Sequence, residues 1–380
     1  MPAQPAPHSP LRFMSSTSQA LSFMQEHVPL APRTTMGVGG PARFFVEGLD
    51  AARIAKVIRH GRERGLPTFV LGGGSNLVVS DEGFDGLVAS VDEFGIDITE
   101  DHRSHRVRVG AGVVWDELVA FTVDERLTGL ECLSGIPGRV GAAPIQNIGA
   151  YGAEAADRII GLSAIDLLTG ERRYFDHADC GFGYRTSMFK SGARDRYLVT
   201  SVDFRLSRSA PSQLNYDELR RAFGGRESVS DLTEVRETVL RIRAGKSMVY
   251  DTEDPNHRSA GSFFVNPIVE AEVADSCETA ARAAGFEGAM PRFAADGGRV
   301  KLSAGWLIER AGFERGFAFG QARLSPKHAL AIVNTGSARA ADVVALAGFV
   351  RRGVHRAFAV TLEPEAIFLG FTKPVDALLA

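Results

Sequence analysis

The sequence contains few cysteines. Among its 380 residues there are only three, Cys132, Cys180 and Cys277. Their number is odd, and their spacing matches neither a metal-binding motif nor a disulfide framework. This excludes a small cross-linked secreted scaffold and predicts a reducing compartment, which we take to be the cytoplasm. We expect no metal site.

Long apolar runs and a strong charge bias are also missing. No apolar stretch approaches the ~18 residues that a membrane span requires. Residues 1–17 lack the apolar core of a secretion signal, so we expect them to form a disordered lead. Lysine and arginine total 43 against 46 acidic residues, which gives a net charge of −3. The charge therefore predicts neither nucleic acid nor a membrane as a partner.

Two common nucleotide-binding fingerprints are absent. Neither G-x-G-x-x-G nor G-x-x-x-x-G-K-[ST] occurs, which excludes Rossmann and P-loop sites. Glycine, in contrast, is plentiful, with 41 residues. The run Gly72-Gly73-Gly74-Ser75-Asn76 follows a strand-like segment, and consecutive glycines can point their N–H groups at an anion. A plain tight turn is the alternative interpretation.

A second glycine-rich loop, SGIPGRVGAAPIQNIGAYGAE, spans residues 134–154. It has neither a helical period nor the alternation of a strand, so its backbone groups need other partners. An Ω-loop packed on itself is one explanation. Two such loops in one half of the chain favour a large phosphate-bearing ligand.

Hydrophobic periodicity predicts an α+β chain. Helical patterns occur in AARIAKVIRHGRERG, VWDELVAFTVDERL and LTEVRETVLRIRAGK, and a hairpin turn is expected at Thr169-Gly170. The polar segment SMVYDTEDPNHRSAG is the best candidate for a domain boundary. Beyond it, three helical patterns surround the strand-like HALAIVN, and FAVTLEPEAIFLG predicts a final strand.

Three short segments contain residues that could carry chemistry. GYRTSMFK places Arg185 where it could clamp a carboxylate, and SAGSFFVNP places Ser262 between a glycine and two aromatic residues. In TLEPEAIFLG, Glu363 and Glu365 are two residues apart and should share one face of a strand. Taken singly, a solvated arginine, a turn serine and exposed carboxylates explain these residues equally well.

Eight segments, read together, resemble the UDP-N-acetylenolpyruvoylglucosamine reductase (MurB) family. They occur in order from Thr34 to Glu365, over nearly the whole chain, and the combination is far more specific than any one of them. SQLNYDELRRAF also resembles the tyrosine-bearing insertion of the subtype that closes a loop over its substrate. The eight segments are TTMGVGGPARFF, LGGGSNLVVSDEGFDGLV, GIPGRVGAAPIQNIGAYGAE, CGFGYRTSMFK, AGSFFVNP, KLSAGWLIERAG, SPKHALAIVN and LEPE.

The resemblance implies a two-part FAD-binding domain of the vanillyl-alcohol-oxidase (PCMH) type and a C-terminal α+β substrate-binding domain. We expect FAD-binding subdomain 1 at residues 18–95, subdomain 2 at residues 96–246 with residues 357–380 returning to it, and the substrate-binding domain at residues 247–356. The resemblance also implies that NADPH reduces FAD, and we expect the protein to be a monomer. The small-molecule substrate, UDP-N-acetylglucosamine enolpyruvate, then receives hydride during peptidoglycan precursor synthesis.

The resemblance also assigns site residues, position by position. Arg185 and Glu365 would stabilise charge beside the substrate carboxylate, and Ser262 would protonate the intermediate. The substrate contacts would be Tyr184, Tyr216, Lys246, Asn266 and His328. The FAD contacts would be Gly72, Gly73, Gly74, Ser75, Asn76, Gly135, Ile136, Pro137, Gly138, Gly141, Gln146, Asn147, Gly149, Ala150, Tyr151 and Gly152.

The chain departs from the family pattern at two positions. Ile367 stands where the family commonly has arginine after LEPE, and Thr186 stands where it commonly has aspartate after GYR. Two other functions stay open at this point. One is a flavin oxidase acting on another sugar, which would have no use for a serine acid. The other is a nucleotide-binding regulator that has lost turnover.

Overall fold

The computed structural model describes residues 23–101, 104–208 and 210–380. The predicted disordered lead, residues 1–17, lies outside these ranges. Helices and strands both contribute throughout the described parts, so the prediction of an α+β chain is confirmed. No helix within those parts is long and apolar enough to cross a bilayer.

The N-terminal unit is a four-stranded sheet with one helix against it. The strands of this part of the chain are β1 (Gln25–Pro29), β2 (Pro41–Val46), β3 (Thr68–Leu71), β4 (Leu77–Val79) and β5 (Phe84–Ser90). The sheet order is β1–β2–β5–β3, and its β2–β5 and β3–β5 pairs are parallel. Helix α1 (Ala51–Glu63) begins where Asp50 accepts a hydrogen bond from the N–H of Arg53, and its apolar face is buried as its period predicted.

The second unit is a five-stranded antiparallel sheet in the order β11–β10–β12–β7–β6. The predicted hairpin between β10 and β11 is confirmed, and Gly170 has the positive φ (82°) that its turn requires. Trp115 opens helix α2 and packs edge-on against Phe204, with ring centroids 6.0 Å apart. The elements are β6 (Ile96–Asp101), β7 (Ser104–Gly110), α2 (Trp115–Asp124), β8 (Gly149–Ala150), β9 (Ala153–Glu154), β10 (Ile159–Asp166), β11 (Arg172–Asp176) and β12 (Tyr197–Leu206).

A short connecting region leads from this sheet to the C-terminal unit. Asp231 accepts hydrogen bonds from the N–H groups of Thr233 and Glu234, and so fixes the start of helix α4. That helix ends directly before Lys246, as the sequence predicted. The elements are β13 (Ser212–Gln213), α3 (Asp217–Ala222), β14 (Ser228–Val229) and α4 (Leu232–Gly245).

The C-terminal unit packs helices against two small antiparallel sheets. All three predicted helices are present, and the sheets have the orders β15–β17–β16 and β18–β19–β20. The elements are β15 (Ile268–Val269), α5 (Ala271–Ala283), β16 (Arg292–Ala294), β17 (Val300–Leu302), α6 (Ala304–Arg310), β18 (Ala318–Phe319), β19 (Ala322–Leu324), β20 (Ile332–Asn334) and α7 (Ala340–Phe358).

The end of the chain differs from the prediction. Within the predicted strand FAVTLEPEAIFLG, only β21 (Ile367–Leu369) forms a strand. The segment begins in helix α7, which still includes Phe358, and Ala359 ends that helix with a φ of 54°. A short helix, α8 (Val375–Leu378), follows.

The final strand also pairs with a different partner than expected. It lies parallel to β4, within the predicted subdomain 1, and not beside the five-stranded sheet. The predicted return of residues 357–380 to subdomain 2 is therefore corrected. The cause is a contact between residues distant in the sequence: the Asn76 carbonyl oxygen accepts the Ile367 N–H at 3.0 Å and fixes β21 beside the first glycine loop.

Candidate active site

The two glycine-rich loops predicted from the sequence lie against each other. Ser75 Oγ donates a hydrogen bond to the Pro137 carbonyl oxygen (3.0 Å), and Asn76 Nδ2 donates to Gln146 Oε1 (2.9 Å). A Cβ added to Gly73 would lie 2.7 Å from the Cα of Gly138. This approach is too close for any side chain, so glycine is required at position 73.

Backbone donors in the first loop are available to a ligand. Among the described residues, none accepts a hydrogen bond from the N–H groups of Gly72, Gly73, Gly74, Ser75 or Asn76. A run of five unpaired backbone donors after a strand suits an anionic ligand such as a pyrophosphate. The residues present therefore fit FAD without a Rossmann fingerprint.

Other glycines of the second loop have packing roles. The Gly135 N–H donates to Asp116 Oδ1 at 2.6 Å, and the Gly141 N–H donates to the Ala111 carbonyl oxygen at 2.9 Å. These two N–H groups are already paired within the protein, so they shape the loop and do not serve as free donors. Gly152 has a φ of 79°, and a Cβ there would lie 2.9 Å from the Cβ of Asn215.

Three non-glycine residues near the loops have a left-handed backbone. The φ angles are 47° at Asn147, 51° at Tyr151 and 54° at Arg185. Asn147 is held by its own side chain, since its Nδ2 donates to Glu154 Oε2 (2.6 Å) and its Oδ1 accepts from the Ala156 N–H (2.9 Å). Such strained residues tend to cluster where function needs a fixed geometry. Ile136 and Ala150 lie half-buried against the core of the second unit.

Arg185 and Glu365 meet at the edge of the second loop. Arg185 Nε lies 3.3 Å from Glu365 Oε1, and both side chains are largely buried, with 18% and 14% exposed. The Arg185 guanidinium also donates to the carbonyl oxygens of Asn147 (3.3 Å) and Gly149 (2.6 Å). Burial raises the pKa of Glu365, while the charge of Arg185 opposes that rise.

Lys190 is a functional candidate that the sequence analysis quoted but did not select. Its half-buried Nζ donates to the Arg185 carbonyl oxygen at 2.8 Å. Its charge lowers the pKa of Glu365, and burial lowers the pKa of Lys190 itself. Its place in the same motif as Arg185 was the signal that could have identified it.

Ser262 lies on a segment that is hydrogen-bonded to the backbone at Glu365. The Phe263 carbonyl oxygen accepts the Glu365 N–H at 2.8 Å, and the Phe263 N–H donates to the Leu330 carbonyl oxygen at 2.7 Å. Ser262 is thus anchored beside Glu365 through its neighbour in the chain. In the described parts of the protein, no residue hydrogen-bonds to the Ser262 hydroxyl.

Glu363 does not share the environment of Glu365. Its side chain is 67% exposed and lies 3.6 Å from Arg351, whereas that of Glu365 is 14% exposed. The expectation that the two carboxylates share one strand face is therefore wrong. The backbone here is a bridge between Phe264 and Pro364, not a regular strand.

Tyr184 and Asn266 lie together on the side facing the C-terminal unit. Burial raises the pKa of Tyr184, and the adjacent Asn266 opposes this. Asn266 Oδ1 accepts the Ala304 N–H at 2.9 Å, which fixes its position at the start of α6. Lys301, which the sequence analysis did not select, places its Nζ 4.5 Å above the Tyr184 ring.

Tyr216 and Lys246 converge on Tyr151. The two tyrosine rings meet edge to face, with centroids 5.6 Å apart, and Lys246 Nζ lies 5.7 Å from the centre of the Tyr151 ring. Lys246 also pairs with Glu218, Nζ to Oε2 at 2.5 Å. Burial raises the pKa of Tyr151 to about 12, so its hydroxyl stays protonated.

His328 is a neutral member of this group. Its Nδ1 accepts the Leu330 N–H at 3.2 Å, so the proton of the neutral ring is assigned to Nε2. Burial, followed by the charges of Lys246 and Arg315, lowers the pKa of His328 to about 4. The Nε2–H group is thus left as a donor.

Known protein families and individual proteins show extensive similarity to this chain. The family profile described as UDP-N-acetylenolpyruvoylglucosamine reductase, C-terminal domain, matches residues 254–369, and an FAD binding domain profile matches residues 42–174. A UDP-N-acetylenolpyruvoylglucosamine reductase from Thermobifida fusca is 48% identical over 350 residues, which cover 91% of this chain and 98% of that protein. The chain belongs to the UDP-N-acetylenolpyruvoylglucosamine reductase family.

Two further relatives carry the name of the same reductase family. A Streptomyces coelicolor protein of the same name is 44% identical over 367 residues, 94% of each chain. The crystal structure of the MurB enzyme from Thermus caldophilus is 30% identical with a TM-score of 0.60, and it covers 91% of this chain and 100% of its own. The family resemblance and the FAD-binding oxidoreductase class are therefore confirmed. The tyrosine-loop subtype stays a prediction.

Proposed function

We propose that this family member reduces UDP-N-acetylglucosamine enolpyruvate to UDP-N-acetylmuramate in peptidoglycan precursor synthesis, with FAD bound and NADPH as the reductant. The main support is the buried Arg185–Glu365 pair, 3.3 Å apart, on a segment bonded to the first glycine loop through Asn76. When bound, FAD supplies hydride chemistry between NADPH and the substrate double bond.

Arg185 and Glu365 act on the enolpyruvyl group. Hydride addition at C3 leaves negative charge at C2 and in the adjoining carboxylate, where a fixed guanidinium is most stabilising. Glu365 and two backbone carbonyls hold the guanidinium in place before substrate arrives. The raised pKa of Glu365 lets its carboxyl hold a proton at a higher pH than an exposed glutamate would.

Ser262 supplies the proton that completes the reduction at C2. A neutral serine is a weak acid, and it serves here because the enol-type intermediate is strongly basic and the geometry is fixed. Its hydroxyl lacks a partner among the described residues, which fits a donor reserved for substrate.

The remaining assigned residues bind the sugar nucleotide. Lys246 and the His328 Nε2–H are suited to the diphosphate, and Tyr216 covers it with an amphipathic ring. Tyr184, whose ring centre lies 5.3 Å from the Arg185 guanidinium carbon, and Asn266 bind the substrate beside Arg185. All five assignments are parts of this proposal.

The two departures from the family pattern leave the central pair in place. Ile367 belongs to β21, and its N–H binds the Asn76 carbonyl oxygen. Thr186 closes a tight turn with Gly183 through mutual backbone hydrogen bonds (3.1 and 3.2 Å). Both contacts are made by backbone atoms, so they do not depend on the Ile367 or Thr186 side chain.

We also propose that the enzyme is monomeric and cytoplasmic. Its product supports cell-wall growth, and through it cell shape and division. The three cysteines are free and buried, which fits a reducing compartment. Light scattering during gel filtration tests the monomer.

Steady-state turnover tests the reaction itself. We expect purified protein with a flavin spectrum to oxidise NADPH when UDP-N-acetylglucosamine enolpyruvate is added, and to form UDP-N-acetylmuramate in equal amount. A flavin-containing protein that leaves NADPH unchanged under these conditions would contradict the proposal and favour a regulator without turnover. Oxidation of an unmodified sugar by oxygen would instead favour an oxidase.

A further inference from the structure

A carboxylate occupies the region assigned to the substrate diphosphate. Glu218 Oε2 lies 2.5 Å from Lys246 Nζ, and the two side chains are 32% and 29% exposed. Glu218 belongs to α3, which begins directly after Tyr216, whereas Lys246 follows α4. The contact therefore ties the tyrosine-bearing segment to the end of another helix.

The groups around this pair are mostly cationic. Lys246, Arg315 and Arg243 all lie close enough to His328 to lower its pKa, and Glu218 acts in the opposite direction. Glu218 also raises the pKa of both Tyr151 and Tyr216. It thus contributes negative charge at the centre of an otherwise anion-attracting site.

We propose that Glu218 is an internal competitor for the diphosphate of the sugar nucleotide and so sets the affinity of the site for it. This inference rests on the proposed function, which assigns Lys246 to that diphosphate. A phosphate oxygen at hydrogen-bond distance from Lys246 would lie beside the Glu218 carboxylate, and the two anions repel each other. Ligand binding therefore requires the Glu218 carboxylate to leave Lys246.

The expected change in diphosphate affinity is modest because the Lys246–Glu218 pair is partly exposed. Exposed ion pairs contribute little, and removing this one should strengthen diphosphate binding by about fivefold. A ligand without phosphate should gain nothing. This contrast separates competition for Lys246 from a general change in the shape of the site.

The test compares two matched variants of the FAD-loaded full-length protein. Glu218→Gln keeps the side-chain size and removes the charge. Asp217→Asn, the control, removes the same charge one residue earlier, from a side chain that is 85% exposed and 3.9 Å from Arg220. Calorimetry measures the affinity of each protein for UDP and for uridine, and flavin content reports on folding.

We expect Glu218→Gln to bind UDP about fivefold more tightly than the unmodified protein and uridine equally well, with Asp217→Asn unchanged for both. Equal or weaker UDP binding by Glu218→Gln would overturn the inference and show that Glu218 orients Lys246 for the ligand. An equal gain in Asp217→Asn would also overturn it, because net charge alone would then explain the effect. Turnover by the unmodified protein reports separately on the proposed function, so the inference about Glu218 and the proposed function can fail independently.

Discussion

Arg185 and Glu365 form a buried ion pair, Nε to Oε1 at 3.3 Å, between a turn in the second unit and the segment that leads into β21. The pair connects the second unit to the segment that leads into β21. Burial opposes the charge of Glu365, and the nearby cations Arg185 and Lys190 support it. The ionisation of this carboxyl therefore depends on both basic residues.

Replacing Lys190 with methionine should disturb this pair without removing it. The change deletes the donor to the Arg185 carbonyl oxygen (2.8 Å) and a cation that lowers the pKa of Glu365. We expect kcat to fall by about 100-fold, as small misplacements of catalytic groups do, with KM little changed. The pH profile should show the Glu365 pKa moved upward. Lys190→Arg, which keeps a cation, should recover part of the loss, and an unchanged pH profile in Lys190→Met would contradict this role.

Replacing Gly73 with alanine should weaken FAD binding. The new Cβ would lie 2.7 Å from the Gly138 Cα, so the two glycine loops must separate. Gly192→Ala is the matched control, because nothing lies within 4 Å of the Cβ it would add. The flavin-to-protein absorbance ratio after gel filtration measures the outcome. Full flavin content in folded Gly73→Ala would mean that the loop is only a turn.

Local sequence patterns were enough to predict most elements, because the period of α1 and the Thr169-Gly170 turn are properties of short segments. The roles of Arg185, Ser262 and Glu365 could not be assigned from their short motifs alone and depend on the family resemblance. The pairing of β21 with β4 depends instead on a long-range hydrogen bond from Ile367 to Asn76. Hydrophobic periodicity describes only neighbouring residues, so it cannot predict the pairing of β21 with β4.

The same limit applies to charged residues whose partners are distant in the sequence. The pairing of Lys246 with Glu218, 28 residues away, becomes visible only when the chain is folded. The different exposure of Glu363 and Glu365 has a similar origin. The backbone bridge between Phe264 and Pro364 interrupts the alternation that a regular strand would have imposed.

Stability should depend on pH through His328. Its pKa in the folded protein is about 4, against 6.5 for the free side chain, so between these values the unfolded chain binds more protons. The free energy of unfolding should therefore fall as pH is lowered from about 6.5 to about 4. His328→Asn, whose amide oxygen can still accept the Leu330 N–H, should lose that part of the dependence. Urea titrations of both proteins at several pH values measure it, and parallel curves would contradict the assignment.

Asp81 should stabilise the contact between the N-terminal and C-terminal units. Its Oδ1 and Oδ2 accept the N–H groups of Ala340 (2.9 Å) and Ala341 (3.0 Å), and so cap α7 from another part of the chain. We expect Asp81→Ala to lower the free energy of unfolding by about 1–2 kcal/mol. Asp85→Ala, which removes an 85% exposed carboxylate paired with Arg43, should change it far less. Similar losses in both variants, measured by urea denaturation, would argue against a capping role.

The central claim is that Ser262 acts only after the flavin has been reduced, as the proton donor to substrate. Anaerobic stopped-flow on Ser262→Ala tests this directly by following flavin absorbance in the two half-reactions separately. We predict flavin reduction by NADPH at the rate of the unmodified protein, and reoxidation by UDP-N-acetylglucosamine enolpyruvate slowed by roughly 100-fold or more. Reoxidation at the unmodified rate, or an equal loss in both half-reactions, would contradict the account.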